Sequence, residues 1–344
     1  MAFVVTGGLI STSNAFLPRV WHSHRRLSLS NHSSQEPSSR TGVSPKSSVS
    51  STALNASSSW SVNSRIGREE AREMLEDQGF LPSSEYGDRI VFGRKAAEQE
   101  YSQGDDNEEV GVMLSDDPRL ARTYAEFPLA SLDRLLDAAV EYLPAGISPI
   151  RMVDIGSGLG RIVLYSALTR GETFDGRDHE ADVQPGWDIR GVEISSLLHD
   201  KALEVIGTGV DRGILEEHGP IRENDDGLET QRSQGDRNVL SLHCGSATDE
   251  HGQGLLSNAD LIFAYSTAFK ATGFDPDVGA LILDTEEWSL PLSEACPNGC
   301  VVVTTDRALN PELGWKVVER IEVPNPEVLG TTGYIHVLEK EGNI

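Results

Sequence analysis

The chain has 344 residues, with 29 Lys and Arg against 54 Asp and Glu, so its formal net charge is −25. A chain this acidic is a poor general binder of nucleic acid, because proteins gain most of that affinity by neutralising phosphates. The three cysteines argue against a secreted disulfide scaffold. No stretch of the sequence is long and apolar enough to predict a membrane span in the mature protein.

The first 65 residues differ in composition from the rest. They begin apolar, become rich in serine, and contain one acid, Glu36, against six Lys and Arg residues. Such a composition is typical of a targeting leader. The Ala15-Phe16 junction, followed by a Ser- and Arg-rich segment, resembles the bipartite plastid presequence of algae with secondary plastids. We therefore expect residues 1–65 to be a disordered plastid-targeting leader. The alternative is a disordered N-terminus with an accidental apolar start, on a nuclear or cytoplasmic protein.

Residues 66–117 are predicted to form an extension with little regular structure. The pattern indicates a helix at 69–78 and a short strand at 89–92. Residues 98–117 contain eight acids and no Lys or Arg. Such a run favours a solvated acidic loop over a docking surface for a basic partner.

Residues 118–344 have a regular pattern, and we predict that they form one domain. Apolar residues recur at helical spacing over 129–143, which predicts an amphipathic helix. Seven strand signals follow, and the first five are apolar runs of the kind that buried parallel strands produce. The last two are too close together for a crossover helix, so we expect an antiparallel hairpin. The polar segments 171–188 and 211–238 are interpreted as surface loops. The seven strand signals are 152–156, 189–194, 239–247, 260–267, 299–306, 315–324 and 333–340.

The first strand signal leads into a turn with glycine at every second position: Gly156, Gly158 and Gly160. A helical pattern follows, and such a turn can hold a nucleotide or cofactor because the first N–H groups of the helix face the ligand. Asp154 lies just before the turn, where a carboxylate can hold a positively charged group. The dinucleotide fingerprint G-x-G-x-x-G is not met, because Arg161 occupies the position of its third glycine.

Residues 154–160 read D-x-G-x-G-x-G, and together with the terminal hairpin they resemble the class I S-adenosylmethionine-dependent methyltransferases. The resemblance implies an α/β, Rossmann-like sheet of seven strands, five parallel plus a terminal antiparallel hairpin, with helices on both faces. It also implies S-adenosylmethionine as the cofactor. Glu193 ends the next strand, where its carboxylate can accept both ribose hydroxyls. Asp249 is an alternative to Ser246 as the adenine contact, or else a helix cap. The candidate cofactor residues are Asp154, Gly156, Ser157, Gly158, Gly160, Glu193, Ile194, Ser246 and Ala247.

The loop at 265–269 points to the methyl acceptor. It lacks the Asn/Asp-Pro-Pro-Tyr/Phe motif of enzymes that methylate nucleic-acid amino groups. Its Ala268-Phe269 resembles the end of the Asn-Asn-Phe-Ala-Phe loop of the non-SET (Dot-type) histone-lysine methyltransferases, although Tyr265 and Ser266 replace the asparagines. Residues 124–126, Tyr-Ala-Glu, resemble the Tyr-Gly-Glu of the same family. This resemblance covers about residues 119–269 and implies that the acceptor is a protein lysine.

A lysine nucleophile must be neutral, which an apolar channel favours by lowering its pKa. Aromatic side chains at 265, 269 and 124 could line such a channel, while core packing is the alternative for each. Two other functions stay open: methylation of a small molecule in the plastid, and cofactor binding without catalysis. We expect no metal, because Cys296 and Cys300 have no nearby histidine. The candidate catalytic residues are Tyr265, Glu126, Tyr124 and Phe269.

Overall fold

A nine-stranded sheet forms the centre of the protein. The computed structural model describes residues 59–76, 124–171, 186–218, 237–326, 328 and 330–340. All of them belong to one compact unit, Thr52–Ile344. In chain order the strands of the sheet are β1 (Ser59–Val62), β2 (Ile150–Ile155), β3 (Trp187–Glu193), β4 (Leu215–His218), β5 (Val239–Cys244), β6 (Leu261–Ala264), β9 (Val301–Thr305), β11 (Trp315–Val323) and β12 (Thr331–Leu338), and a separate small sheet contains β7 (Ala271–Asp275), β8 (Ala280–Leu283) and β10 (Arg307–Ala308).

The spatial order of the large sheet is β11-β12-β9-β6-β2-β3-β5-β1-β4. The five strands from β9 to β5 are parallel, whereas β12 runs antiparallel to both β9 and β11. The parallel strands are apolar because both of their faces are covered; every residue of β6 and β9 is buried. The predicted fold class, with five parallel strands and a terminal antiparallel hairpin, is therefore confirmed. The predicted count of seven strands is wrong, because β1 and β4 extend the sheet beyond β5 to nine strands.

Helices cover both faces of the sheet. Successive residues of one strand point to opposite faces, so Met152 joins one hydrophobic core while Val153 joins the other. The first core packs against α1 to α4 and the second against α5 and α6. The helices are α1 (Arg68–Glu76), α2 (Leu129–Val140), α3 (Arg161–Thr169), α4 (Ser196–Asp211), α5 (Glu250–Leu256) and α6 (Leu290–Ala295), with a π-helical turn at Thr285–Ser289 before α6 and 3-10 turns at Ser266–Ala268 and Pro311–Leu313.

Two predicted boundaries need correction. The leader was predicted to end at residue 65, yet β1 lies in the sheet between β4 and β5, with Trp60 and Val62 buried. Arg65 Nη1 also donates to the Gly171 carbonyl at 2.8 Å. The segment 211–238 was predicted to be a surface loop, but it contains β4. Strands this short, with few apolar residues, produce no periodic signal before their pairing partners are known.

Several other elements end near their predicted positions. The helix predicted over 69–78 is α1, and the helix predicted over 129–143 is α2, which ends three residues earlier, at Val140. The predicted strand at 89–92, the acidic run at 98–117 and residues 1–58 lie outside the described residues. No helix in the described part of the chain is long and apolar enough to cross a membrane.

The small sheet was not predicted from the sequence. Its strands are ordered β10-β8-β7, so β7 lies at one edge. On one face, Ala280, Ile282 and Ala308 pack together with Tyr334 of β12.

Candidate functional site

The glycine turn joins β2 to α3 at the carboxyl end of the parallel strands. Gly156, Gly158 and Gly160 have φ of 75°, 54° and 73°, values that residues with a Cβ rarely adopt. The N–H groups of Gly156 and Ser157 donate to the Val192 carbonyl at 2.9 and 3.1 Å, which holds the turn against the end of β3. Gly160 then precedes the first residue of α3. The predicted strand, glycine turn and helix are therefore present, and the shape of the turn depends on glycine.

Glu193 ends β3 and is buried next to this turn. Its carboxylate accepts hydrogen bonds from the N–H of Gly158 at 2.7 Å and the N–H of Ser195 at 2.8 Å. Each carboxylate oxygen has two lone pairs, so both oxygens keep the capacity to accept a further hydroxyl donor. Glu193 thus fixes the glycine turn as well as offering acceptors to a ligand, and the first of these roles was not predicted.

Asp154 is the most perturbed acid of the site. It is only 2 % exposed, and its Oδ2 atom has no hydrogen-bond partner among the described residues. Burial, reinforced by the negative charge of Glu193, raises the pKa of Asp154 to about 8. A buried acceptor without a donor is unfavourable, so this carboxyl is suited to a ligand that brings a cationic N–H group. The α-ammonium of a bound amino acid moiety has that chemistry.

The residues predicted to contact adenine lie beside Glu193. Ile194 is 50 % exposed, unusual for a large apolar side chain, and it is available to a flat aromatic ligand. Ala247 is buried, and the Ser246 hydroxyl lies 3.0 Å from the Thr248 hydroxyl. Asp249 caps α5 by accepting from the N–H of Gly252 at 2.7 Å, and its other oxygen accepts from the N–H of Ser246. This arrangement favours the helix-cap interpretation of Asp249.

Tyr124 and Glu126 lie over the glycine turn. A Cβ added at Gly158 would meet Tyr124 Cε2 at 2.8 Å, so the ring is in direct contact with the turn. The Tyr124 hydroxyl donates to Glu126 Oε1 at 3.2 Å, and Arg161 Nη1 lies 3.3 Å from Glu126 Oε2. The sequence motif therefore becomes a hydrogen-bonded unit with the first residue of α3. From the sequence, Arg161 is only a departure from the dinucleotide fingerprint.

Tyr265 follows β6 and packs on Phe127, with ring centroids 5.1 Å apart. Its hydroxyl accepts a hydrogen bond from Asn325 Nδ2 at 2.9 Å, and the same amide nitrogen also lies 3.0 Å from Thr331 Oγ1. Asn325 is buried in the loop between β11 and β12. Sequence reasoning missed both Phe127 and Asn325, because their roles arise only when the hairpin folds back on the loop after β6.

Phe269 has a different environment from the other three candidate catalytic residues. It is buried in the second core and stacks on Trp288 with ring centroids 4.4 Å apart. The structure therefore favours core packing for Phe269 over a place in an acceptor channel. The described part of the chain contains no group of three or more His, Cys, Asp or Glu side chains arranged to hold a metal ion. Cys296 and Cys300 are buried, free thiols.

Comparisons with known proteins found likeness in structure only. No family model matches the chain, and no curated protein matches it. A solved structure from Listeria monocytogenes, provisionally assigned as a class I S-adenosylmethionine-dependent methyltransferase, has a TM-score of 0.41 and 10 % identity over 80 % of this chain and 69 % of that one. The rRNA methyltransferase aviRa from Streptomyces viridochromogenes has a TM-score of 0.37 and 14 % identity, covering 66 % and 90 %. Fibrillarin from Aeropyrum pernix, with S-adenosyl-L-methionine natively bound, has a TM-score of 0.33 and 12 % identity, covering 59 % and 74 %.

TM-scores this low do not establish a fold, so the fold is assigned from the sheet of this chain. The sheet has five parallel strands followed by a terminal antiparallel hairpin, and the glycine turn follows the central strand β2. This is the arrangement of the class I S-adenosylmethionine-dependent methyltransferases. The chain therefore has the class I methyltransferase fold. The narrower likeness to the Dot-type lysine enzymes comes from the sequence motifs alone.

Proposed function

We propose that this protein is an S-adenosylmethionine-dependent methyltransferase. The observation that supports this most directly is Asp154, a buried carboxyl whose Oδ2 has no partner among the described residues, beside a glycine turn and an acid at the end of the next strand. Asp154 would hold the α-ammonium of the cofactor, Glu193 the ribose hydroxyls, and Ile194 the adenine. When bound, S-adenosylmethionine supplies an electrophilic methyl group on a sulfonium.

The protein side chains would act by orientation and by excluding water. Methyl transfer is an in-line displacement, so holding the acceptor in place can supply about 7–11 kcal/mol of the barrier reduction in well-ordered cases. Tyr265 is held from one side by Asn325, and Tyr124 is held by Glu126. The Tyr124 ring contacts the glycine turn, and the Tyr265 ring packs on Phe127. Fixed aromatic rings of this kind are suited to positioning an amine and keeping it in an apolar environment.

For the acceptor we propose a protein lysine. The partial motifs at 124–126 and 265–269 support this, and an apolar aromatic environment favours the neutral amine that attacks. The net charge of −25 disfavours an RNA acceptor. A small-molecule acceptor and a cofactor-binding module without catalysis are the alternatives that the experiment must separate.

The test is to incubate the full chain with cell extract and S-adenosylmethionine carrying a labelled methyl group. We expect the label in a protein fraction and, after acid hydrolysis, in methylated lysine. An Asp154→Asn variant is the matched control, since it should lose incorporation at low cofactor concentration. Label in low-molecular-weight material would favour the small-molecule alternative. Cofactor binding with no incorporation anywhere would favour the non-catalytic module.

We also propose that the protein acts in the plastid, on the basis of its leader composition. A full-length chain with a fluorescent protein at its C-terminus should give fluorescence in the plastids when it is expressed in an alga with secondary plastids. Fluorescence in nuclei would contradict this location, and it would make a histone the first acceptor to test.

A further inference from the structure

The small sheet has an exposed apolar face close to the proposed acceptor loop. Phe274 of β7 and Leu281 of β8 are paired neighbours, and they are 62 % and 45 % exposed. Paired residues on neighbouring strands point to the same face, so these two side chains form one continuous apolar patch. Most large apolar side chains of the described chain are buried, and an exposed pair of this kind is typical of an interaction surface.

This patch is linked to the acceptor loop by a short series of contacts. Leu281 pairs with Arg307 of β10. Arg307 Nη1 donates to the carbonyl of Ser266, the residue after Tyr265, at 3.2 Å. Thr267 Oγ1 also donates to Asp306 Oδ2 at 2.6 Å. Because neighbouring strands lie about 4.8 Å apart, the outer edge of the small sheet is roughly 10 Å from β10, the strand whose Arg307 contacts the acceptor loop.

The second feature is the edge of β7. No strand in the described part of the chain pairs with its outer side. An unpaired edge offers a row of N–H and C=O groups that an extended peptide can use to add a strand. A β7 edge beside an apolar patch therefore offers both backbone hydrogen bonds and apolar contact for alternate side chains.

The third feature is charge. From Lys270 to Arg307 the chain contains seven acids against these two basic residues, and Lys270 pairs with two of the acids, Asp284 at 3.3 Å and Glu287 at 3.6 Å. Asp277 and Glu286 are exposed among them. A second copy of this chain would bring the same acids against themselves in a two-fold interface, which is unfavourable. A basic peptide is complementary to this surface.

We propose that the outer face of the small sheet and the edge of β7 bind an extended, lysine-rich segment of the protein that carries the methyl acceptor. This inference rests on the proposed function, because the partner is the acceptor of the same site. The segment adds a strand to β7, its apolar side chains cover Phe274 and Leu281, and its lysines face the acids of residues 271–306. Binding here presents the acceptor polypeptide to the loop that contains Tyr265.

The test uses a fluorescein-labelled peptide of alternating lysine and valine, long enough to pair with all of β7. Binding to the full chain is measured by fluorescence anisotropy at an ionic strength of about 0.15 M, where screening acts beyond about 8 Å. We expect the double variant Phe274→Ser, Leu281→Ser to bind at least about tenfold more weakly than the wild type. The matched control is Tyr142→Ser, at a position that is 37 % exposed just after α2. It should bind the peptide as the wild type does.

Two modified peptides test the strand pairing. Methylating the backbone nitrogens of all lysines, or of all valines, removes the donors on one edge of the peptide or on the other. One of these peptides should lose binding while the other keeps it. Equal binding of both, or equal binding by the wild type and the double variant, would overturn the proposal. So would tight binding of a glutamate–valine peptide, or a wild-type dimer in sedimentation that the double variant dissolves.

Binding of S-adenosylhomocysteine, measured by calorimetry, separates this inference from the proposed function. Cofactor binding that is unchanged in the double variant, together with weaker peptide binding, supports the docking surface. A wild-type chain that binds the cofactor product but not the lysine–valine peptide would refute the docking surface alone. A chain that binds the peptide but not the cofactor product would refute the methyltransferase proposal instead.

Discussion

Replacing Asp154 with Asn should weaken cofactor binding while stabilising the ligand-free protein. The wild-type carboxyl is buried without a partner for Oδ2, and burial together with Glu193 raises its pKa to about 8. A hydrogen bond to a charged group contributes about 1.5–3 kcal/mol, so losing the charge should lower the affinity for S-adenosylmethionine by roughly tenfold to a hundredfold. Titration calorimetry with the full chain measures this loss directly.

The stability change has the opposite sign. The pKa of Asp154 in the folded state lies above the ordinary aspartate value of 3.8, so the fold disfavours the ionised form. Below the pKa values of both the folded and the unfolded states, the carboxyl is neutral in either state, and it does not lower the unfolding free energy. As the pH rises from about 4 to about 8, the ligand-free protein should lose about 1.4 kcal/mol of unfolding free energy per pH unit through this group. Asp154→Asn removes that slope, which denaturant unfolding at several pH values would reveal.

Proton release gives an independent check on the same reasoning. At about pH 7 the Asp154 carboxyl of the free protein is mostly protonated, so binding a cationic ligand should release up to about one proton. Calorimetry in buffers with different ionisation enthalpies measures that number, and the Asn variant should release none from this position. Equal affinity and equal proton release in wild type and variant would refute the role assigned to Asp154.

Three further substitutions test neighbouring parts of the site. Glu193→Gln leaves one of two backbone N–H groups without a good acceptor. The unfolding free energy should therefore fall by about 1–3 kcal/mol, and the cofactor affinity should fall by more than tenfold. Unchanged thermal unfolding would contradict the role of Glu193 in fixing the turn. Tyr265→Phe removes the hydroxyl that accepts a hydrogen bond from Asn325. We expect turnover on the labelled acceptor to fall by about tenfold while the cofactor affinity stays unchanged. Full turnover would eliminate Tyr265 as an orienting residue. Phe269→Ala should destabilise the protein by about 3–5 kcal/mol in denaturant unfolding, because it leaves a cavity in the core beside Trp288. A loss of turnover in a fully stable variant would instead support a place for Phe269 in the acceptor channel.

Much of the cofactor side of the site could be predicted from local sequence. Glycine at alternate positions after an apolar run indicates a turn that needs positive φ, and the structure has that turn. Glu193 could be identified because it is the acid that ends the strand after the glycine turn. Its hydrogen bonds to Gly158 and Ser195 could not be predicted, since they join segments far apart in sequence or depend on the exact path of the chain after β3.

The acceptor side depended more on tertiary structure. Tyr265 and Phe269 are four residues apart and equally aromatic, yet one is held by Asn325 from the distant hairpin and the other stacks on Trp288 in the core. Sequence spacing alone does not separate these outcomes, because the 3-10 turn at Ser266–Ala268 sends the two rings to different environments. The small sheet was missed because its strands have only 5, 4 and 2 residues, which is too short to give a clear periodic signal.

The sequence by itself determined the five parallel strands, the terminal hairpin and the glycine turn, because buried parallel strands must be apolar and tight turns need glycine. Tertiary structure alone decided where the folded domain begins, since β1 has meaning only once it pairs with β4 and β5. It likewise decided which aromatic residues face the site, and which acid is left buried with an unpartnered oxygen in the described protein. Burial and pairing depend on neighbours that are distant in sequence, so no local pattern can specify them.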